Sequence, residues 1–196
     1  MKWLLASGNP GKLRELRQIL KPYELELCSL ADLGLLADAP ETGNTFLENA
    51  RQKAIYYFQW AKIPVVADDS GLEIDALNGA PGIHSARFGG FATHAEKRRY
   101  VLQLMADVED EHRTGRFACA AVYFDGKNML QSFATVEGYI GHEERGNKGF
   151  GYDPIFHPQW LGPTLAELDG DEKNAFSHRG KAFRELVRQV MAAQPS

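Results

Sequence analysis

The chain has 196 residues, 44% of them apolar and 24% charged, which is ordinary for a globular protein of one domain, with or without two lobes. A formal charge of −4 excludes a whole-protein basic footprint, and with it the expectation of a nucleic-acid polymer as partner. Two cysteines, Cys28 and Cys119, provide no disulfide framework or thiolate metal site and point to a reducing cytoplasmic setting, and no apolar stretch approaches a membrane span.

Trp3-Leu4-Leu5-Ala6 reads as a first strand. It runs into Ser7-Gly8-Asn9-Pro10-Gly11-Lys12 and then a segment with apolar residues at Leu13, Leu16, Ile19 and Leu20, which is helical spacing. Strand, glycine-bearing turn and helix together aim backbone N–H groups at an anion, and Lys12 adds a cation where helices disfavour one unless an anion answers it. The turn is not a Walker A loop: Gly8 and Gly11 are too close, and Leu13 stands where Ser or Thr would bind Mg²⁺. Residues 25–28 form a second, exposed strand, residues 30–39 a loose apolar segment, and residues 40–44 a loop carrying Glu41. Thr45 with Glu48 has the capping-box spacing. The helix it opens turns Phe46, Ala50, Ala54 and Tyr57 inward and leaves Lys53 on a solvated face.

Ile63-Pro64-Val65-Val66 reads as a buried strand that ends in Ala67-Asp68-Asp69-Ser70-Gly71. Carboxylates delivered by a strand suit a hard cation such as Mg²⁺, which takes oxygen ligands and shares them with phosphates. Successive strand residues face opposite ways, so either the strand turns at Asp68 or only one acid faces the metal. Residues 72–77 alternate like another strand. Residues 78–90 form a shaped loop in which Arg87 suits either a phosphate or an ion pair. Thr93 and Glu96 open a helix with Val101, Leu102 and Met105 inward, and residues 109–114 are a charged, solvated connection. Residues 117–124 and 129–139 are strands joined at Asp125-Gly126, a hairpin signal that makes the sheet mixed. Phe150-Gly151-Tyr152-Asp153 offers aromatic faces that suit either a stacked base or the core. After an acidic turn, Ser177 caps a last helix whose start carries His178 and Arg179.

Six segments together resemble the inosine triphosphate, or Ham1-like, family of non-canonical purine nucleoside triphosphate pyrophosphatases. They are residues 7–12, 45–50, 67–72, 79–87, 149–156 and 177–180, and the match spans essentially the whole chain. The Arg98-Arg99-Tyr100 run departs from the family, which commonly has an asparagine there, as does Asp169-Gly170-Asp171. The resemblance implies an α/β fold: an elongated mixed β-sheet flanked by helices, one domain over residues 1–196 with two lobes and a central nucleotide cleft. It implies a cytoplasmic homodimer, no membrane, and Mg²⁺-dependent hydrolysis of ITP, dITP and XTP to monophosphate and pyrophosphate. Asp69 is then the catalytic proton acceptor. Asp69, Glu41 and Asp68 are metal ligands. Ser7, Gly8, Asn9, Pro10, Gly11, Lys12 and Ser70 bind the phosphates or sugar. Phe150, Gly151, Tyr152 and Asp153 flank the base, which Lys173, His178 and Arg179 read. A Maf-like pyrophosphatase of pyrimidine nucleotides and a non-hydrolysing nucleotide sensor are the alternative readings.

Overall fold

A computed structural model describes residues 1–35, 37–159 and 161–193. Strand β1, Lys2–Leu5, is followed by helix α1, Pro10–Leu20, strand β2, Glu26–Cys28, and helix α2, Phe46–Ala61. Strand β3, Val65–Ile74, precedes helix α3, His94–Leu104, strand β4, Thr114–Phe124, and strand β5, Met129–Ile140. Strand β6, Phe156–Pro158, helix α4, Gly170–Phe176, and helix α5, His178–Ala193, complete the order. The described strands form one sheet in the order β2-β1-β3-β4-β5-β6. β1 runs parallel to both β2 and β3, and β5 is antiparallel to β6. The four residues between β4 and β5 are too few for a parallel crossover, so these strands form a hairpin. Asp125 closes it by accepting from the N–H groups of Lys127 and Asn128 at 2.9 and 2.7 Å. The sheet is therefore mixed, as the sequence implies.

The chain divides into two compact units, with the divisions inside β3, β4 and β5 and between α4 and α5. The first comprises residues 1–69, 119–134 and 178–196. Its core gathers Trp3 and Leu5 of β1, Leu16, Ile19 and Leu20 of α1, Val66 of β3, Tyr123 of β4, and Phe183, Leu186, Val187 and Val190 of α5. These positions repeat every three or four residues in the helices and every two in the strands, which is why each element has one face to bury. The second unit comprises residues 70–118 and 135–177. Its core joins Leu72, Ile74, Val101, Met105, Phe117, Val136, Ile140, Ile155 and Phe156. The Phe117 and Phe156 rings meet edge to face at 4.8 Å.

Several expectations are corrected. β3 does not end at the acids but carries them mid-strand, between β1 and β4, and continues to Ile74 before a 3₁₀ turn, Asp75–Leu77. Burial of Leu72 and Ile74 on the far side of the polar run holds the strand extended there. β2 is an edge strand, yet Leu27 and Cys28 are buried. In the segment 30–39, Ala31–Leu33 is a 3₁₀ turn, and the Tyr57 hydroxyl donates to the Ala37 carbonyl at 2.9 Å; Leu36 lies outside the described residues. The connection 109–114 is not wholly solvated. Arg113 is buried and donates to the carbonyls of Ile140, Met105 and Gly141 at 2.8, 2.6 and 2.7 Å, tying the ends of a strand and a helix together. The acidic turn before α5 contains α4, opened by a Glu172 carboxylate that accepts from the Asp169 N–H at 2.8 Å. Ser177, expected to cap the last helix, immediately precedes α5 and is at the same time the C-terminal cap of α4.

Phe183 is fully buried in the first unit's core. We expect Phe183→Ala to lower unfolding free energy by about 3–5 kcal/mol, read from the urea midpoint, while Met191→Ala on the exposed side of the same helix changes it by about 0.5 kcal/mol or less.

Candidate active site

The first unit buries two adjacent carboxylates. Asp68 and Asp69 are neighbours in a central strand, so they face opposite ways and meet different partners. Asp68 is fully buried. Its Oδ2 receives the Lys12 ammonium at 2.9 Å and the Nε and Nη2 of Arg179 at 3.3 Å each. Arg179 in turn gives Nη1 to Glu15 at 2.6 Å. The result is a buried run of alternating charge, Lys12, Asp68, Arg179, Glu15. Lys12 and Glu15 are three apart on α1 and so share a face. Burial pushes the Asp68 carboxyl up, but Lys12 and Arg179 outweigh it and hold the acid well below the usual carboxylate range. Burial pulls the Lys12 ammonium down, and Asp68 only partly restores it. The buried Cys119 thiol, 4.0 Å from the same Oδ2, is pushed up to about 12 by burial and by that charge, which leaves it inert at neutral pH.

Asp69 lies on the other face. Its Oδ1 receives the Lys53 ammonium at 3.3 Å and its Oδ2 the Asn49 side-chain amide at 3.0 Å. Lys53 also reaches Glu41 Oε1 at 2.8 Å, so two carboxylates from a loop and a strand converge on one cationic centre. Burial raises the Asp69 carboxyl above its ordinary value, against the pull of Lys53, Lys12 and the Asn49 hydrogen bond. Asn49 also accepts from the Gly43 N–H at 2.9 Å, and a side chain at Gly43 would collide with Glu48 and Asn49. That close approach is what brings the Glu41 loop onto α2. Lys53, expected on a solvated face, is therefore buried in the site, and Asn49 and Glu15 join it without having been singled out. The available signal was their place one helical turn after Thr45 and after Lys12 respectively. Glu48 accepts from the Asn44 N–H at 2.6 Å, while its own N–H is capped by Thr45.

Ahead of α1, Asn9 caps the helix by accepting from the N–H groups of Gly11 and Lys12 at 2.8 and 3.3 Å, and Ser7 Oγ accepts from the Asn9 N–H at 3.2 Å. Pro10 takes the first helical position, which suits its missing N–H. A side chain built at Gly8 would meet nothing within 4 Å, so there is open space beside this turn.

The second unit carries the aromatic loop. Gly149 has φ +69°, and a Cβ there would strike the Asp153 carboxylate, so glycine is required on both counts. Asp153 accepts from the Phe150 N–H at 2.9 Å and from the Lys173 ammonium at 2.5 Å, and that ammonium lies 5.1 Å from the Phe150 ring centroid. Tyr152 is buried, with its hydroxyl donating to the Ser85 carbonyl at 2.9 Å; Phe150 is only half-buried. Of the two rings expected beside a base, Phe150 is thus the less buried. Ser70 opens this unit's part of β3 and is half-buried. His178 and Arg179 belong to the first unit, and both are buried at the start of α5; Arg179 forks onto Asp68 and Glu15.

The Ham1 family model matches residues 3–189. The chain belongs to the Ham1 family. A dITP/XTP pyrophosphatase of Photorhabdus laumondii is 45% identical over 190 residues, 95% of this chain and 96% of that protein. One from Thermus thermophilus is 46% identical over 197 residues, 100% of this chain and 94% of its own. A HAM1 protein structure from Coxiella burnetii superposes with a TM-score of 0.87 at 40% identity, covering 98% of this chain and 100% of that one. The six motifs that suggested the family fall within the matched region, and the mixed sheet is that of its structures. Among the described residues no helix is long and apolar enough to cross a membrane.

Removing Arg179 leaves Asp68 and Glu15 as buried negative charges. Arg179→Met is expected to cost about 3–5 kcal/mol at neutral pH. The held-down Asp68 stabilises the fold above its unfolded value and ceases to do so only as pH falls through its low folded value. In the variant both acids can take up protons instead. The stability gap to the parent, followed by urea midpoints, should therefore narrow from pH 7 towards about pH 4.

Proposed function

We propose that the chain is a Mg²⁺-dependent nucleoside triphosphate pyrophosphatase that hydrolyses dITP, ITP and XTP to the monophosphate and pyrophosphate, clearing such nucleotides before they enter DNA or RNA. The observation that carries this reading is the convergence of Glu41 and Asp69 on one cationic centre in a Ham1-family chain. Relatives with the printed name dITP/XTP pyrophosphatase at about 45% identity over nearly the whole chain support it.

The donor set fits a hard divalent ion. Among the described residues no cluster of three or more acidic, His or Cys side chains could hold a metal. Mg²⁺ does not need one, since it is commonly held by one or two carboxylates and completes its shell with water and substrate phosphate. Glu41 and Asp69, whose oxygens already meet on an ammonium, would hold it, and Asp68, committed to Lys12 and Arg179, would stand behind them. When bound, the ion neutralises phosphate charge and acidifies water beside it. Asp69 takes the proton of the attacking water, and its raised carboxyl value suits a base working near neutral pH. Lys53 and Asn49 keep that carboxylate ionised and aimed. The open turn at Gly8, with Ser7, Asn9, Pro10 and Gly11 around it and Lys12 beyond, receives the phosphates.

Base recognition falls to the second unit's Phe150 face and Lys173. Inosine and xanthosine carry a keto oxygen at the purine 6-position, which accepts; adenine carries an amino group, which donates. An ammonium matches the keto group and leaves adenine unpaired, a mismatch worth about 1–3 kcal/mol. Ser70, Gly151, Tyr152, Asp153 and His178 complete the substrate set of this reading, while Arg179, committed to Asp68 and Glu15, supports the site from behind. The same reading makes the protein a cytoplasmic homodimer.

Pyrophosphate release should be strong with ITP and XTP and weak with ATP, GTP, dTTP and UTP; a preference for pyrimidines would point to the Maf-like alternative, and binding without release to a sensor. Asp69→Asn should fold normally and turn over ITP about 10²–10⁴-fold more slowly; near-normal turnover would sink the assignment. Chelation of divalent ions should abolish release, and added Mg²⁺ should restore it.

A further inference from the structure

Residues 37–44, the segment that carries Glu41, are fastened to α2 by its side chains in reverse order. The Tyr57 hydroxyl accepts from the Ala39 N–H at 3.2 Å and donates to the Ala37 carbonyl at 2.9 Å. Gln52 Oε1 accepts from the Thr42 N–H at 3.0 Å, Asn49 Oδ1 from the Gly43 N–H at 2.9 Å, and Glu48 Oε2 from the Asn44 N–H at 2.6 Å. Lys53 takes Glu41 itself at 2.8 Å. As the segment advances, its partners step back along the helix from 57 to 48. Backbone groups that would pair within a strand or helix are answered here by side chains. The segment thereby keeps a definite register on α2 with no regular structure of its own.

Asn49 differs from the other partners. It is buried, at 1% exposure, and its planar amide is divided between two carriers. The oxygen holds the Gly43 N–H, and Nδ2 donates to Asp69 Oδ2 at 3.0 Å. One short, flat group thus joins the backbone two residues past Glu41 to the carboxylate of Asp69. Gly43 permits the approach, since a Cβ there would stand 2.8 Å from Asn49 Oδ1 and 2.6 Å from Glu48 Cβ. Lys53 also bridges the two acids, but through one ammonium on a flexible stem, and it does so at Asp69 Oδ1 and Glu41 Oε1, where the acids converge. Asn49 holds Asp69 by the other oxygen, so its hold leaves the converging oxygens to a cation.

We propose that Asn49 is a positioning residue for the divalent ion: by tying the Gly43 backbone to Asp69 it sets the separation of Glu41 and Asp69 before the ion binds. This rests on the functional reading above for the ion but not for the tie. The test follows amide hydrogen exchange of peptides spanning residues 37–45 in metal-free protein, Mn²⁺ binding without nucleotide by electron paramagnetic resonance, and Mg²⁺ half-saturation of ITP turnover. Mn²⁺ suits the same carboxylate and water ligands as Mg²⁺. Asn49→Ala should quicken exchange, weaken Mn²⁺ binding about 10–100-fold, and raise the Mg²⁺ half-saturation in step. Gly43→Ala, which presses the segment off α2 and keeps the Asn49 side chain, should weaken Mn²⁺ binding in the same way. Gln52→Ala frees Thr42 but leaves the tie intact, so it should quicken exchange and change Mn²⁺ affinity less than about threefold. Parental Mn²⁺ affinity in either Asn49→Ala or Gly43→Ala overturns the proposal, whatever happens to the thermal midpoint. An equal loss of affinity in Gln52→Ala also overturns it, because looseness of the segment would then be the cause. A parent that binds no Mn²⁺ and is not activated by Mg²⁺ defeats the functional reading and the metal role with it, and the exchange data then decide the tie by themselves.

Discussion

Two carboxylates stand side by side in the middle of a central strand, Asp68 fully buried and Asp69 nearly so. A buried ionised acid is costly unless it is paired and hydrogen-bonded. Because the strand turns its side chains alternately, no single cation can answer both. The first unit is therefore built with two separate sets of partners. α1 and the start of α5 supply Lys12 and Arg179 to Asp68, with Glu15 closing the run. α2 supplies Lys53 and Asn49 to Asp69, and the loop before it brings Glu41. The placement of three helices follows from where these charges must be met as much as from the apolar faces that bury Leu16, Ala54 and Phe183.

The two acids are consequently unequal. Asp68 is locked as an anion by two full positive charges, which makes it a support. Asp69 has a neutral amide and a shared ammonium, and its burial leaves the carboxyl above its usual value. Environment alone gives two identical, adjacent side chains opposite shifts in acidity. The second unit uses a different device. Its loops are shaped by glycines of positive φ and then fixed by cations on their carbonyls and carboxylates, Lys97 on Ala86, Arg98 on Gly151 and Lys173 on Asp153.

Much of this was legible locally. Thr45 announced α2, and Phe46, Ala50, Ala54 and Tyr57 are buried as their spacing requires. Asp125-Gly126 marked the hairpin, and Thr93 with Glu96 capped α3 as expected. What escaped depends on partners far away in the chain. Asp-Asp-Ser-Gly reads as a turn by its own chemistry; it is a strand because Arg179, 111 residues on, and Lys12, 56 residues back, neutralise it. Lys53 and Arg113 look like surface cations until the carboxylates and carbonyls they satisfy are in place. Tyr152 and Phe150 are alike in sequence, and the Ser85 carbonyl that holds the Tyr152 hydroxyl comes from 67 residues away.

The alternation of β3 also governs how this strand can change over evolutionary time. A one-residue insertion or deletion between Val66 and Leu72 would rotate every later side chain to the opposite face. It would carry an acid toward the wrong set of cations while turning Leu72 and Ile74 out of their core. This stretch is therefore a ruler whose residue count the two sets of partners and the core behind it hold fixed.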